Sequence, residues 1–95
     1  MATPLTPEEH TALTEAHPQW TLEGETLTRT FTFSDFAEAM GFVTRIGLAA
    51  ESADHHPDID IRWNRVTLSL TTHSRNALTD LDRHLVEAIA EWEEE

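Results

Sequence analysis

The sequence contains no cysteine and no lysine. Without cysteine, disulfides, thiolate nucleophiles, zinc fingers and iron–sulfur ligation are all excluded, which fits a reducing cytoplasm. Without lysine, positive charge rests on six arginines against eighteen acidic residues, a formal net charge of −12. Such a chain repels polyanions, because binding to phosphates is driven by basic side chains that release counterions. Direct contact with nucleic acid or with an anionic membrane is therefore not expected. Long apolar runs are missing too. The longest nearly uncharged stretch, from Ala39 to Ala50, is too short to span a bilayer and contains Arg45. Met1-Ala2-Thr3-Pro4 has no basic region followed by an apolar one, so no signal peptide is expected. A cytoplasmic protein is the expectation.

What is present makes a single domain, residues 1–95. Chains of this size bury only about 60–65% of the surface they expose when unfolded, so self-association into a homo-oligomer would add useful burial. Hydrophobic residues make up 39% of the chain and charged residues 25%, within the ordinary globular range.

Thr6-Pro7-Glu8-Glu9 marks a helix start with a capping box, and the helix runs to about Ala16 before His17-Pro18 ends it. Trp20-Thr21-Leu22 and Leu27 to Phe33 alternate as strands around Gly24, with Leu27, Phe31 and Phe33 on one face and Thr28, Thr30 and Thr32 on the other. Ser34 caps a longer helix to about Ala53, whose apolar stripe is Phe36, Met40, Val43, Ile46 and Ala50. Ile59, Ile61 and Trp63 form a third strand and Val66, Leu68 and Leu70 a fourth, joined by a tight turn at Asn64-Arg65. A last helix spans about Thr79 to Glu93, with Leu81, Leu85, Ile89 and Trp92 inward, Leu78 just ahead of it and a frayed acidic tail, Glu93-Glu94-Glu95. The order α-β-β-α-β-β-α predicts an α+β fold: a four-stranded antiparallel sheet with three helices packed on one face.

Chemistry concentrates in the histidines. His10, His17 and His84 lie in or at the end of helices and read as solvated surface residues. Glu51-Ser52-Ala53-Asp54-His55-His56-Pro57 differs, because two adjacent histidines leave a helix end and enter a proline-fixed turn. His73 follows the fourth strand. If the last two strands form a hairpin, His55, His56 and His73 converge on one sheet edge. Clustered imidazoles suit general acid–base catalysis near neutral pH. They also suit a three-histidine metal centre, although adjacent histidine side chains diverge. Glu51 fits the role of orienting an imidazolium. Asp82 has capping of the last helix as its default role, and Trp63 reads as core. Arg29 and Arg75 are available to an oxygen-rich ligand, but no spacing demands it.

These residues form a recognisable set. Glu51-x-x-x-His55-His56-Pro57, then Trp63-Asn64, Thr72-His73, Leu78-Thr79 and Asp82, resembles the pterin-4a-carbinolamine dehydratase family. Trp20, Arg29-x-Phe31-x-Phe33-x-x-Phe36 and Phe42 extend the likeness over most of the chain. The resemblance implies dehydration of a 4a-hydroxytetrahydropterin to a quinonoid dihydropterin in tetrahydrobiopterin recycling, with no metal or organic cofactor and a dimeric or tetrameric assembly. It implies acid–base roles for His55 and His73 and a pterin-binding, proton-moving role for His56. Glu51, Asp54, Pro57, Trp63 and Thr72 would complete the substrate pocket. Some animal members also act as dimerisation cofactors of a transcription factor, so a non-catalytic binding module is the alternative, with a three-histidine metal-dependent hydrolase behind it. Three kinds of departure from the family pattern stand out. Ile59 stands where many members carry tryptophan, Ala77 replaces a common glycine, and Asp58 and Asp60 add charge near the site.

Overall fold

The computed structural model describes residues 2–95. Thr6 starts the first helix as its sequence context dictates. Its hydroxyl accepts the Glu9 N–H at 3.1 Å, Glu9 Oε1 accepts the Thr6 N–H at 2.9 Å, and α1 (Pro7–Ala16) follows. Strands β1 (Thr21–Glu23) and β2 (Thr26–Thr32) turn around Gly24, whose φ of 60° glycine adopts without a Cβ penalty. Then come α2 (Phe36–Ala53), β3 (Asp58–Arg62), β4 (Arg65–Leu70), a single 3₁₀ turn at His73–Arg75, and α3 (Asp80–Glu93). The sheet is antiparallel in the order β1-β2-β4-β3.

Alternation along the strands separates the two faces. Leu27, Phe31, Val66, Leu68 and Leu70 join Leu13 of α1, Ile46 of α2 and Leu85, Val86 and Ile89 of α3 in one core. On the opposite face Thr30 and Thr67 share a hydroxyl hydrogen bond of 2.8 Å. The three helices therefore cover one face, and the α+β architecture is the one the sequence predicts.

Four details correct the sequence reading. Asp35, not Ser34, caps α2: its carboxylate accepts the Glu38 N–H at 2.8 Å, while Ser34 donates its N–H and its hydroxyl to the Glu38 carboxylate. A charged acceptor suits the positive end of the helix dipole better than a hydroxyl. The buried face of α2 runs through Ala39, Phe42, Ile46 and Ala50, and Phe36 is half exposed. Small residues let the helix lie close to the sheet, and Phe42 packs on Phe31 and Phe33 at ring distances of 4.6 and 5.1 Å.

The two-residue hairpin loop is Trp63-Asn64, one position earlier than expected, since Arg62 pairs with Arg65. Trp63 consequently lies outside the core with 70% of its surface exposed, and Ile59 and Ile61 stand on an edge strand exposed along its whole length. The acidic tail is not frayed. Glu93 forms a bidentate pair with Arg29 (3.0 and 2.6 Å) and Glu95 another with Arg45 (3.0 Å twice), which occupies the Arg29 guanidinium.

The amino-terminal segment is tied to the start of α3. Leu5 N–H donates to Leu78 C=O at 2.9 Å, Thr3 N–H to Asp80 Oδ1 at 2.8 Å, and Asp80 N–H to Thr3 C=O at 3.1 Å. The Thr3 N–H holds the Asp80 carboxyl below the usual aspartate range. A lowered carboxyl adds stability at pH values above its ordinary 3.8, and that stability is lost as pH falls through the lower folded value. Asp80→Asn is therefore expected to flatten the fall of Tm on acidification through that window. An acid limb identical to that of the parent would exclude Asp80 from the effect.

Candidate active site

Three elements meet where α2 ends. Its carboxyl terminus is closed by Asp54 in the left-handed region (φ 51°), whose N–H donates to Ala50 and Glu51 carbonyls. That turn sends His55 inward and His56 outward. His55 is nine-tenths buried, with Nε2 2.6 Å from Asp82 Oδ1, and Asp82 is fully buried in the first turn of α3. A carboxylate can only accept, so the Nε2 proton points at Asp82 and Nδ1 is left as the nitrogen able to exchange a proton with a ligand. His56 is exposed and makes the same kind of contact with Glu51, 2.8 Å from Nε2 to Oε1.

Asp82 is held from several sides. Its Oδ2 accepts the Thr72 hydroxyl at 2.8 Å and the Thr79 N–H at 2.9 Å, and Thr79 Oγ1 lies 2.7 Å from Thr72 Oγ1. Since Thr72 donates to the carboxylate, Thr79 donates to Thr72. The result is an ordered chain of hydroxyls ending on the negative charge. Asp82 does cap α3, as the sequence indicates, but the same carboxylate also orients His55. Sequence reasoning missed that second role. The Thr79-x-x-Asp82 capping box explained the residue locally and left no sign of a partner 27 residues upstream.

Thr72 is the residue before His73, and Asp58 beside the histidine pair registers opposite Ser69 near the end of β4. The backbone thus brings His55, His56 and the His73 turn to one edge of the sheet. His73 is exposed and starts the 3₁₀ turn that ends at Arg75. The left-handed residue of that loop is Asn76 (φ 49°), so Ala77 is not asked to adopt a conformation that favours glycine. Pro57, next in the chain, is partly buried.

Trp63 is not brought to the histidines within the chain. It lies at the far end of β3, about 17 Å along a five-residue strand. Among the described residues, no group of three or more His, Asp or Glu side chains is spaced to hold a metal ion, so the three-histidine ligand cluster does not form. No helix of the described residues is long and apolar enough to cross a membrane. His10 departs from its expected solvated state: its side chain is 14% exposed, with Nε2 3.6 Å from Glu25 Oε1.

An aromatic cavity of about 380 Å³ lies elsewhere, between the amino-terminal half of α2 and the end of α3, lined by Phe31, Phe33, Phe42 and Trp92. It lies at the opposite ends of α2 and α3 from the histidines. The imidazoles suited to moving protons near neutral pH are gathered at the histidine end.

The family model described as pterin 4 alpha carbinolamine dehydratase matches residues 3–92. A Chloroflexus aurantiacus protein, provisionally named a pterin-4-alpha-carbinolamine dehydratase, is 51% identical over 74 residues, 78% of this chain and 80% of that one. A Mycobacteroides abscessus protein with the same provisional name is 48% identical over 85 residues, 90% of each chain. The crystal structure of a transcriptional coactivator/pterin dehydratase from Brucella melitensis superposes with a TM-score of 0.87 at 37% identity. It covers 93% of this chain and 96% of that one. A pterin dehydratase-like protein described as a RuBisCO assembly factor shares the fold, with a TM-score of 0.62 at 22% identity over 78% of this chain and 92% of that one.

Proposed function

This chain belongs to the pterin-4a-carbinolamine dehydratase family, and from that we propose that it dehydrates 4a-hydroxytetrahydropterins to quinonoid dihydropterins by histidine acid–base catalysis. The observation that carries the reading is the buried His55–Asp82 pair, tied through Thr72 to the turn that bears His73. A purely scaffolding domain has no use for an imidazole oriented in this way.

In the reaction, the C4a–O bond breaks and hydroxide departs. An imidazolium of the cluster gives its proton to the leaving oxygen, so water is released. A neutral imidazole takes a proton from a pterin N–H, and the freed electron pair forms the new C=N bond. One proton is donated and one accepted, which leaves the cluster's total unchanged. His55 Nδ1 and His73 are the exchanging groups, His56 binds the pterin and assists, and Glu51 orients His56. Asp54, Pro57 and Thr72 shape the same edge. Trp63 could reach a pterin only in a partner's pocket. No organic cofactor or metal enters the scheme, and a reductase would recycle the product.

The same reading includes a homo-oligomer in the cytoplasm. The exposed Ile59 and Ile61 on edge strand β3, with Trp63 in the loop that follows, support self-association, because an unpaired apolar edge is a template for another strand. A second reading, a protein-binding cofactor, is favoured by the exposed Phe36 and Leu48 on α2 and by the coactivator name of the Brucella melitensis relative.

The test is direct. Fresh 4a-hydroxytetrahydropterin is mixed with protein after exhaustive chelation, and quinonoid product is followed by absorbance. Formation well above the spontaneous rate is the expected result. A rate equal to the protein-free control would reject the enzyme reading in favour of the binding module, and activity lost on chelation but restored by zinc would favour the hydrolase-type metal reading.

A further inference from the structure

We infer that Glu25, in the β1–β2 turn, is a positioning residue for the His55–Asp82 pair and acts through the backbone of Leu78. The inference rests on the histidine reading of the site and names a further residue that serves it. Leu78 precedes the N-cap of α3, so its N–H has no helical partner. Glu25 Oε1 supplies one, reaching across 53 positions of sequence to accept it at 2.9 Å. The Leu78 carbonyl is taken at 2.9 Å by Leu5 N–H. Both polar groups of this residue are thereby pinned by distant segments, and its side chain is fully buried.

The next residue is Thr79, which caps α3, bonds Thr72 and gives its N–H to Asp82. A displacement of Leu78 is passed directly to the Asp82 carboxylate. The contact with His55 is 2.6 Å long, so an ångström of drift takes it out of hydrogen-bond range. Misplacement on that scale costs an active site up to about 10²-fold in rate. Glu25 Oε1 also lies 3.6 Å from His10 Nε2, outside hydrogen-bond range, so the Leu78 N–H is the hydrogen bond that places this carboxylate. Glu23, two residues earlier, is exposed and makes no comparable contact.

Glu25→Ala is expected to lower kcat about tenfold with KM within about twofold, since binding groups stay in place while the proton-exchanging pair loses alignment. The nitrogen-bound proton of His55, followed by NMR, should shift or broaden. Glu25→Gln keeps an oxygen acceptor and should restore both readouts, and Glu23→Ala should change neither. A Glu25→Ala protein with the parent's His55 signal and kcat overturns the inference. So does a Glu25→Gln protein as impaired as the alanine variant, because charge rather than the Leu78 bond would then be responsible. If the parent dehydrates no pterin, the enzyme reading falls, while the His55 signal in the variants still decides the role of Glu25.

Discussion

Alanine at His73 is expected to slow pterin dehydration by about 10²–10⁴-fold, the usual worth of a positioned acid–base group. Alanine at His56 is expected to do the same. Both residues are exposed, and neither side chain holds the fold. His73 starts its 3₁₀ turn through backbone groups, its carbonyl accepting the Asn76 N–H at 3.2 Å, and alanine preserves that bond. Surface substitutions of this kind usually change stability by no more than about 0.5 kcal/mol. A proton transferred in the transition state affects kcat and kcat/KM together, so KM for the pterin should move little at His73. At His56, which also binds the pterin, KM should rise as well. A doubly substituted protein, folded and fully active, would remove both residues from catalysis.

The second large effect is one of stability. Asp82→Ala is expected to destabilise the protein by about 3–5 kcal/mol, the range found when one partner of a buried charged pair is removed. The loss does not come from an absent attraction alone. Without the carboxylate, the His55 Nε2–H, the Thr72 hydroxyl and the Thr79 N–H are left without their acceptor in a buried site. Each such orphan costs roughly 1–3 kcal/mol. For a domain of this size 1 kcal/mol corresponds to about 4–8 °C, so Tm should fall by well over 10 °C. Activity should fall as well, because His55 loses the partner that fixes its tautomer and ring orientation. A variant melting within 2 °C of the parent, a margin well under 1 kcal/mol, would show that the network contributes nothing.

The fold was readable from the sequence because its signals are local and agree with one another. Capping boxes at Thr6 and Thr79, period-two alternation in β2 and β4, and the Pro18 and Pro57 breaks each decide an element within a few residues. The nearness of the start of β3 to the end of β4 follows from the β3–β4 hairpin alone, and it survives a loop that sits one residue earlier than the pattern indicates. Local pattern failed where burial depends on position in the sheet. Ile59, Ile61 and Trp63 alternate like a core strand, but β3 is an edge, and nothing in five residues distinguishes an edge from a centre.

Long-range polar contacts were equally silent. His55–Asp82, Glu25–Leu78, Arg29–Glu93 and Arg45–Glu95 join residues 27 to 64 positions apart. Each acidic residue had a sufficient local explanation as a cap, a turn or a solvated tail. His10 was misread for the same reason, since its burial comes from the β1–β2 turn and not from its own helix.

The placement of β4 between β2 and β3 also bears on how the chain acquires its structure. The β3–β4 hairpin closes over two residues and can form within about 1–10 μs, whereas β2–β4 pairing must first span all of α2 and the hairpin itself. His55 and Asp82 stand on either side of that hairpin in the chain, so its closure brings their segments together and shortens the loop that their contact must close.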